Sequence, residues 1–183
     1  MKARYLIPFG IFMAIMAIFV LGLYKMKEDP NFVRNIPSVL IDKPAPEIVL
    51  PDLFDQTKTV KSSDLLGQVW LLNIWGTWCP ECWREHSYLV HLAEREGVKI
   101  FGIDWRDDAE EAKAMLQQKG NPFVAVGFDP ESRTAINWGV SGAPETFVID
   151  KQGIIRWKHA GGITPQLWQE ELKPLLQKLE QEQ

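Results

Sequence analysis

The stretch from Val69 to Cys82 constrains the fold more than any other part of the chain. Val69-Trp70-Leu71-Leu72-Asn73-Ile74-Trp75 is an almost unbroken apolar run, the pattern of a strand buried on both faces. The loop Gly76-Thr77-Trp78-Cys79-Pro80-Glu81-Cys82 follows at once, and Pro80 opens a helical stretch to Glu96 that Gly97 ends. The alternation continues. Val98 to Asp104 reads as a strand. Asp107 or Asp108 caps a helix running to Gln118, closed by Gly120. Phe123 to Phe128 is a third strand, and Glu131 to Trp138 a short helix. Two strands, Glu145 to Ile149 and Ile154 to His159, flank the turn Asp150-Lys151-Gln152-Gly153. Thr164 caps a last helix with Pro165 at its first position; it reaches about Leu179, and Pro174 must kink or split it. This order predicts an α/β domain with a central mixed sheet flanked by helices. The crossover places the loop after the first buried strand at the carboxyl edge of the sheet, where chemistry usually sits.

That loop holds the only two cysteines, three positions apart. A pair so close encloses too small a loop to staple a fold. Zinc would need four ligands; His86, His91 and His159 are present, but there is no second Cys-x-x-Cys and no His-x-x-x-His. Covalent haem attachment requires His directly after the second Cys, where Trp83 stands. A redox dithiol fits the strand–loop–helix setting. Cys79 at the helix start is stabilised as a thiolate by the helix dipole and free N–H groups. It is expected to attack a disulfide, and Cys82 to resolve the mixed disulfide.

The N-terminus carries a second constraint. Leu6 to Leu23 is apolar throughout, bracketed by Tyr5 and Tyr24. About twenty helical residues rise about 30 Å, the thickness of a bilayer core. A cleaved signal peptide would have a shorter core and a small-residue cleavage site, and Tyr24-Lys25-Met26-Lys27 offers none. The expected layout is a cytoplasmic tail at 1–4, a transmembrane anchor at 5–24, a Pro-containing linker at 25–43 and the folded domain at 44–183.

Trp78-Cys79-Pro80-Glu81-Cys82 after a buried strand resembles the thioredoxin superfamily. The run Cys82-Trp83-Arg84-Glu85-His86, with Gly139-Val140-Ser141-Gly142-Ala143-Pro144-Glu145-Thr146-Phe147, looks like the CcmG/DsbE family of cytochrome c maturation. The resemblance covers anchor and domain. It implies a thioredoxin-like fold and a single-pass protein of the bacterial inner membrane, its soluble domain in the periplasm. It implies a reductant for the haem-binding cysteines of apocytochrome c or for a partner thiol protein of CcmH type. It further implies recharging by a membrane electron donor of DsbD/CcdA type, and no cofactor beyond the Cys79–Cys82 disulfide. Pro144 matches the family's cis-proline, facing the dithiol.

Thioredoxin carries a buried aspartate six residues ahead of its first Cys; this chain has Asn73 there, which cannot accept a proton. The acid–base role then moves or vanishes, with Glu85 and Glu145 as candidates. On the helix from Pro80, Cys82, Glu85, His86, Leu89, Leu92 and Ala93 share one broad face. Glu85 is then either a core-side carboxyl one turn from Cys82, with a raised pKa suited to proton transfer, or an edge residue reaching solvent, Arg84 or Lys. Glu81 between the cysteines opposes a nearby thiolate and favours a reductant. Trp78 is expected beside the dithiol, toward substrate. His86 is expected to be a helix residue with a satisfied ring nitrogen.

A net charge of -4 and the lack of a basic stripe exclude a nucleic-acid partner. Two alternatives remain beside the maturation reductase: an anchored reductase for another envelope client, and a holder of apocytochrome that does not turn over.

Overall fold

The computed structural model describes residues 3–28 and 38–182. It forms two units, residues 1–36 and 37–183. Residues 1–2 of the expected tail and 29–37 of the expected linker lie outside the described residues.

In the first unit, α1 (Ala3–Glu28) is a continuous helix. Within it Ile7–Lys25 has a mean hydropathy of 2.3 and none of it is buried in protein. It is long and apolar enough to cross a membrane.

The second unit is built on a five-stranded mixed sheet. Its strands are β3 (Trp70–Trp75), β4 (Ile100–Trp105), β5 (Ala125–Asp129), β6 (Glu145–Ile149) and β7 (Ile155–Ala160), in the order β5-β4-β3-β6-β7. β3, β4 and β5 run parallel, while β6 is antiparallel to both β3 and β7. β3 lies in the middle and every one of its residues is buried, which is why its sequence lacks polar alternation.

The parity of β3 assigns the two faces. Leu71 and Trp75 share a core with Leu89 and Leu92 of α2 (Pro80–Arg95), with Ala112, Met115 and Leu116 of α3 (Ala109–Lys119), and with the C-terminal helices. Trp70, Leu72 and Ile74 face the other core, which contains Ile48, Phe147 and Trp138, just past α4 (Arg133–Asn137). Asp108 caps α3 by accepting from Glu110 N and Glu111 N. Thr164 Oγ1 accepts from Leu167 N at the start of α5 (Pro165–Leu167), as its sequence position implied.

The chain meets Pro174 by local underwinding. A π-helical stretch, Trp168–Leu172, joins α5 to α6 (Lys173–Gln181). The wider turn makes room for a ring that would otherwise meet the carbonyl one turn back.

Two features depart from the expected layout. A short hairpin, β1 (Val49–Pro51) with β2 (Thr59–Lys61), precedes the sheet. Part of the stretch read as linker also lies on the domain: Asp42 N donates to Ile155 O, Ile155 N to Lys43 O, and Ala45 N to Gly153 O. Residues 42–45 therefore run antiparallel to the start of β7, with Pro44 bridging Ile154.

Candidate active site

Cys79 and Cys82 are joined by a disulfide with Cα atoms 5.3 Å apart. Cys79 is the N-cap of α2, and its sulfur accepts from Cys82 N at 3.1 Å. Pro80 takes the first helical position, where a missing N–H leaves nothing unpaired. The sulfur at the cap thus already meets the free N–H groups that would stabilise it as a thiolate.

The loop ahead of Cys79 is tied down on both sides. Cys79 N donates to Gly76 O at 3.2 Å. Trp78 folds back, its Nε1 donating to Trp105 O at 2.9 Å and its ring edge-on to Trp105 at 5.6 Å. Gly76 permits this: a Cβ there would lie 2.5 Å from Trp78 Nε1. Trp78 remains 49% exposed, leaving its outer ring face open beside the dithiol. Trp83 Nε1 donates to Thr77 O at 2.7 Å, while Trp75 stacks on Phe123 inside the core. Of the three tryptophans near the motif, Trp75 is therefore core, while Trp78 and Trp83 both brace the loop and stay open to solvent.

Glu85 lies on the buried face of α2 with Cys82, His86, Leu89 and Leu92, and is 4% exposed. The edge placement is excluded; Arg84 instead reaches toward Glu81, at 3.8 Å. Glu85 Oε1 accepts from Asn73 Nδ2 at 3.1 Å and Oε2 from Ile163 N at 2.6 Å. Burial pushes its pKa from 4.5 up to about 7, helped by the charge of Glu81 and opposed by those two hydrogen bonds. Asn73 stands where thioredoxin has its buried acid, and it also donates to Thr146 Oγ1 at 3.0 Å. One amide thus links β3, α2 and β6 beneath the dithiol.

The Ala143–Pro144 bond is cis. Gly161 N donates to Pro144 O at 2.9 Å. Glu145, the other acid–base candidate, is fully engaged elsewhere. Its Oε1 accepts from Ser141 N, Ser141 Oγ and Gly142 N, and its Oε2 pairs with Lys158 Nζ at 2.8 Å. Glu145 holds the loop before Pro144 in place. His86 Nε2 lies 2.9 Å from Gly120 O, a satisfied ring nitrogen, and burial lowers its pKa.

Sequence reading missed two partners. Ile163 N comes from the loop after β7, 78 positions from Glu85, and no local pattern announces it. Asp107 was read as a possible helix cap. It instead accepts from Thr77 N and, at 2.6 Å, from Thr77 Oγ1, fastening the loop of Cys79 to the end of β4.

A buried strand leading into a disulfide-bonded cysteine pair at a helix N-terminus forms the redox centre of a thiol–disulfide oxidoreductase. The Redoxin family matches residues 41–174. The thiol:disulfide interchange protein DsbE of Allochromatium vinosum is 48% identical over 94% of this chain and 92% of its own length. DsbE of Escherichia coli K12 is 42% identical over 97% and 95%. The crystal structure of a DsbF homologue from Corynebacterium diphtheriae superposes with a TM-score of 0.63 at 27% identity, covering 75% of this chain and 87% of that one. On these grounds the chain belongs to the DsbE/CcmG family of thiol:disulfide interchange proteins, on a thioredoxin-like fold.

Proposed function

We propose that this protein is the reductant that keeps the haem-binding cysteines of apocytochrome c, or those of a partner thiol protein of CcmH type, in the dithiol state. The observation that carries the chemical part is the stack of Cys79, Cys82 and Glu85 along one face of α2. Its kinship with DsbE proteins over nearly the whole chain supports the client class.

In the reduced protein the Cys79 thiolate attacks one sulfur of the client disulfide, and the other client sulfur leaves as a thiolate. Cys82 then loses its proton and attacks Cys79, which releases the second client sulfur and closes the Cys79–Cys82 bond. Two electrons pass to the client. Glu85 sits at i,i+3 from Cys82 on the buried face. With a pKa near neutrality it is suited to take the Cys82 proton and to return it on the next reduction. Asn73 and the Ile163 N–H hold the carboxyl in place in the disulfide state. A membrane donor of DsbD/CcdA type would restore the dithiol.

The decisive experiment is a trap. In the full chain carrying Cys82→Ser, Cys79 still attacks but the mixed disulfide cannot resolve. The adduct captured in a cell producing c-type cytochromes is expected to contain apocytochrome c or its thiol partner. A trap filled only by other envelope proteins overturns the maturation role, and an empty trap overturns turnover itself.

A further inference from the structure

One buried acid has no part in the exchange chemistry above. Asp104 is completely buried in β4. Its register partner is Trp75, the last residue of β3 before the cysteine loop. Its parity with Ile100 turns it toward the face where α2 and α3 pack. Neither of its oxygens meets a donor among the described residues. An ionised carboxylate without donors in such a place is prohibitively costly. Burial, first, and then the facing carboxylate of Asp107 push its pKa from 3.8 to about 9, with a smaller push from Asp108. At neutral pH Asp104 is therefore a neutral acid and carries a proton to donate.

The neighbour that can take that hydrogen bond is Asp107. An ionised carboxylate has about four acceptor sites. Three donors already converge on Asp107: Thr77 N, Thr77 Oγ1 and Asp108 N. One acceptor site is left over, and a protonated Asp104 is the donor that matches it. Thr77 stands two residues ahead of Cys79, and the same loop is braced a second time by Trp78 Nε1 on Trp105 O.

We propose that Asp104 is a positioning residue for the redox centre: as a neutral acid it donates to Asp107, and Asp107 through Thr77 fixes the loop that presents the Cys79 sulfur at the head of α2. The inference rests on Cys79 as the attacking sulfur. Shape alone does not explain an acid here, because an apolar side chain would fill the same space in a strand at less cost.

The test uses the reduced full chain in detergent micelles, with glutathione disulfide as the probe. Wild-type turnover of the probe checks the exchange reading itself; without it that reading fails and the variants are not compared. Asp104→Asn keeps an N–H donor toward Asp107 and is expected to hold the rate within about twofold. Asp104→Val keeps a strand-forming apolar body but donates nothing, and is expected to lose about tenfold through a displaced nucleophile. Thr77→Val cuts the other end of the link. It should reproduce part of that loss, and the double variant should lose less than the two single losses combined. Urea unfolding confirms that each variant is folded. An Asp104→Val rate equal to wild type, an Asp104→Asn loss as deep as that of Asp104→Val, or full additivity with Thr77→Val would each overturn the proposal.

Discussion

Glu85 concentrates the competing forces of this site in one side chain. Two donors pull its carboxyl toward ionisation, while exclusion from water pushes the other way more strongly, leaving a pKa of about 7 against an ordinary 4.5. The sign for stability follows. Between those two values the native chain holds a proton that the unfolded chain has released, so stability falls as pH rises through the window and is level above it. The displacement corresponds to about 3 kcal/mol in all. Glu85→Gln abolishes the slope, so urea melts of the oxidised protein should show wild type losing ground to the variant between about pH 5 and 7. Parallel curves for the two would mean that the carboxyl is not held in its neutral form. The position of Glu85 one turn from Cys82 left two placements open, core side or helix edge, and only the packing of α2 decides for the core. The carboxyl's anchoring was not legible, because Asn73, itself held by Thr146, and Ile163 reach it only through sheet register and the loop after β7. Asp104 entered the sequence reading only as the last residue of the expected strand from Val98, and its lack of donors depends on which neighbours the fold brings to it.

At the level of elements, the strands with continuous apolar runs and the helices with clear caps were legible, since each signal is local. The hairpin of β1 and β2 was not. Each strand has three residues, Val49 and Pro51 point outward, and only Leu50 is buried. Helix α4 shows a third case. Its N-cap, Ser132, makes no capping bond; Asp129 at the end of β5 does that work from outside the helix. Asp129 Oδ1 accepts from Arg133 N at 3.0 Å and Oδ2 from Ala135 N at 2.9 Å. The helix then delivers Trp138, fully buried, into the core on the face away from the dithiol. Asp129→Ala strands two backbone donors near a buried strand end and is expected to cost about 2 kcal/mol. A lower urea midpoint at unchanged slope would show it. Because Asp129 makes none of the hydrogen bonds of the cysteine loop, glutathione disulfide turnover should stay near wild type; a collapse of turnover in a folded variant would tie α4 to the site after all.

Across the whole molecule, the chain is a single-pass inner-membrane protein whose thioredoxin-like domain faces the periplasm. Among the described residues, those that line the domain's two cores run from Leu40 onward. A fragment starting at Pro37 is therefore expected to unfold at the same urea midpoint as the full chain and to turn over glutathione disulfide at an unchanged rate. What the anchor changes is encounter. Confining the domain and a membrane-bound client to one surface raises their effective concentration without any new contact. With Cys82→Ser in both, the anchored chain should trap about tenfold or more client than a freely diffusing periplasmic fragment at equal abundance. Equal yields would mean that recognition by the domain alone governs the encounter, and would leave α1 the role of an address rather than a concentrator.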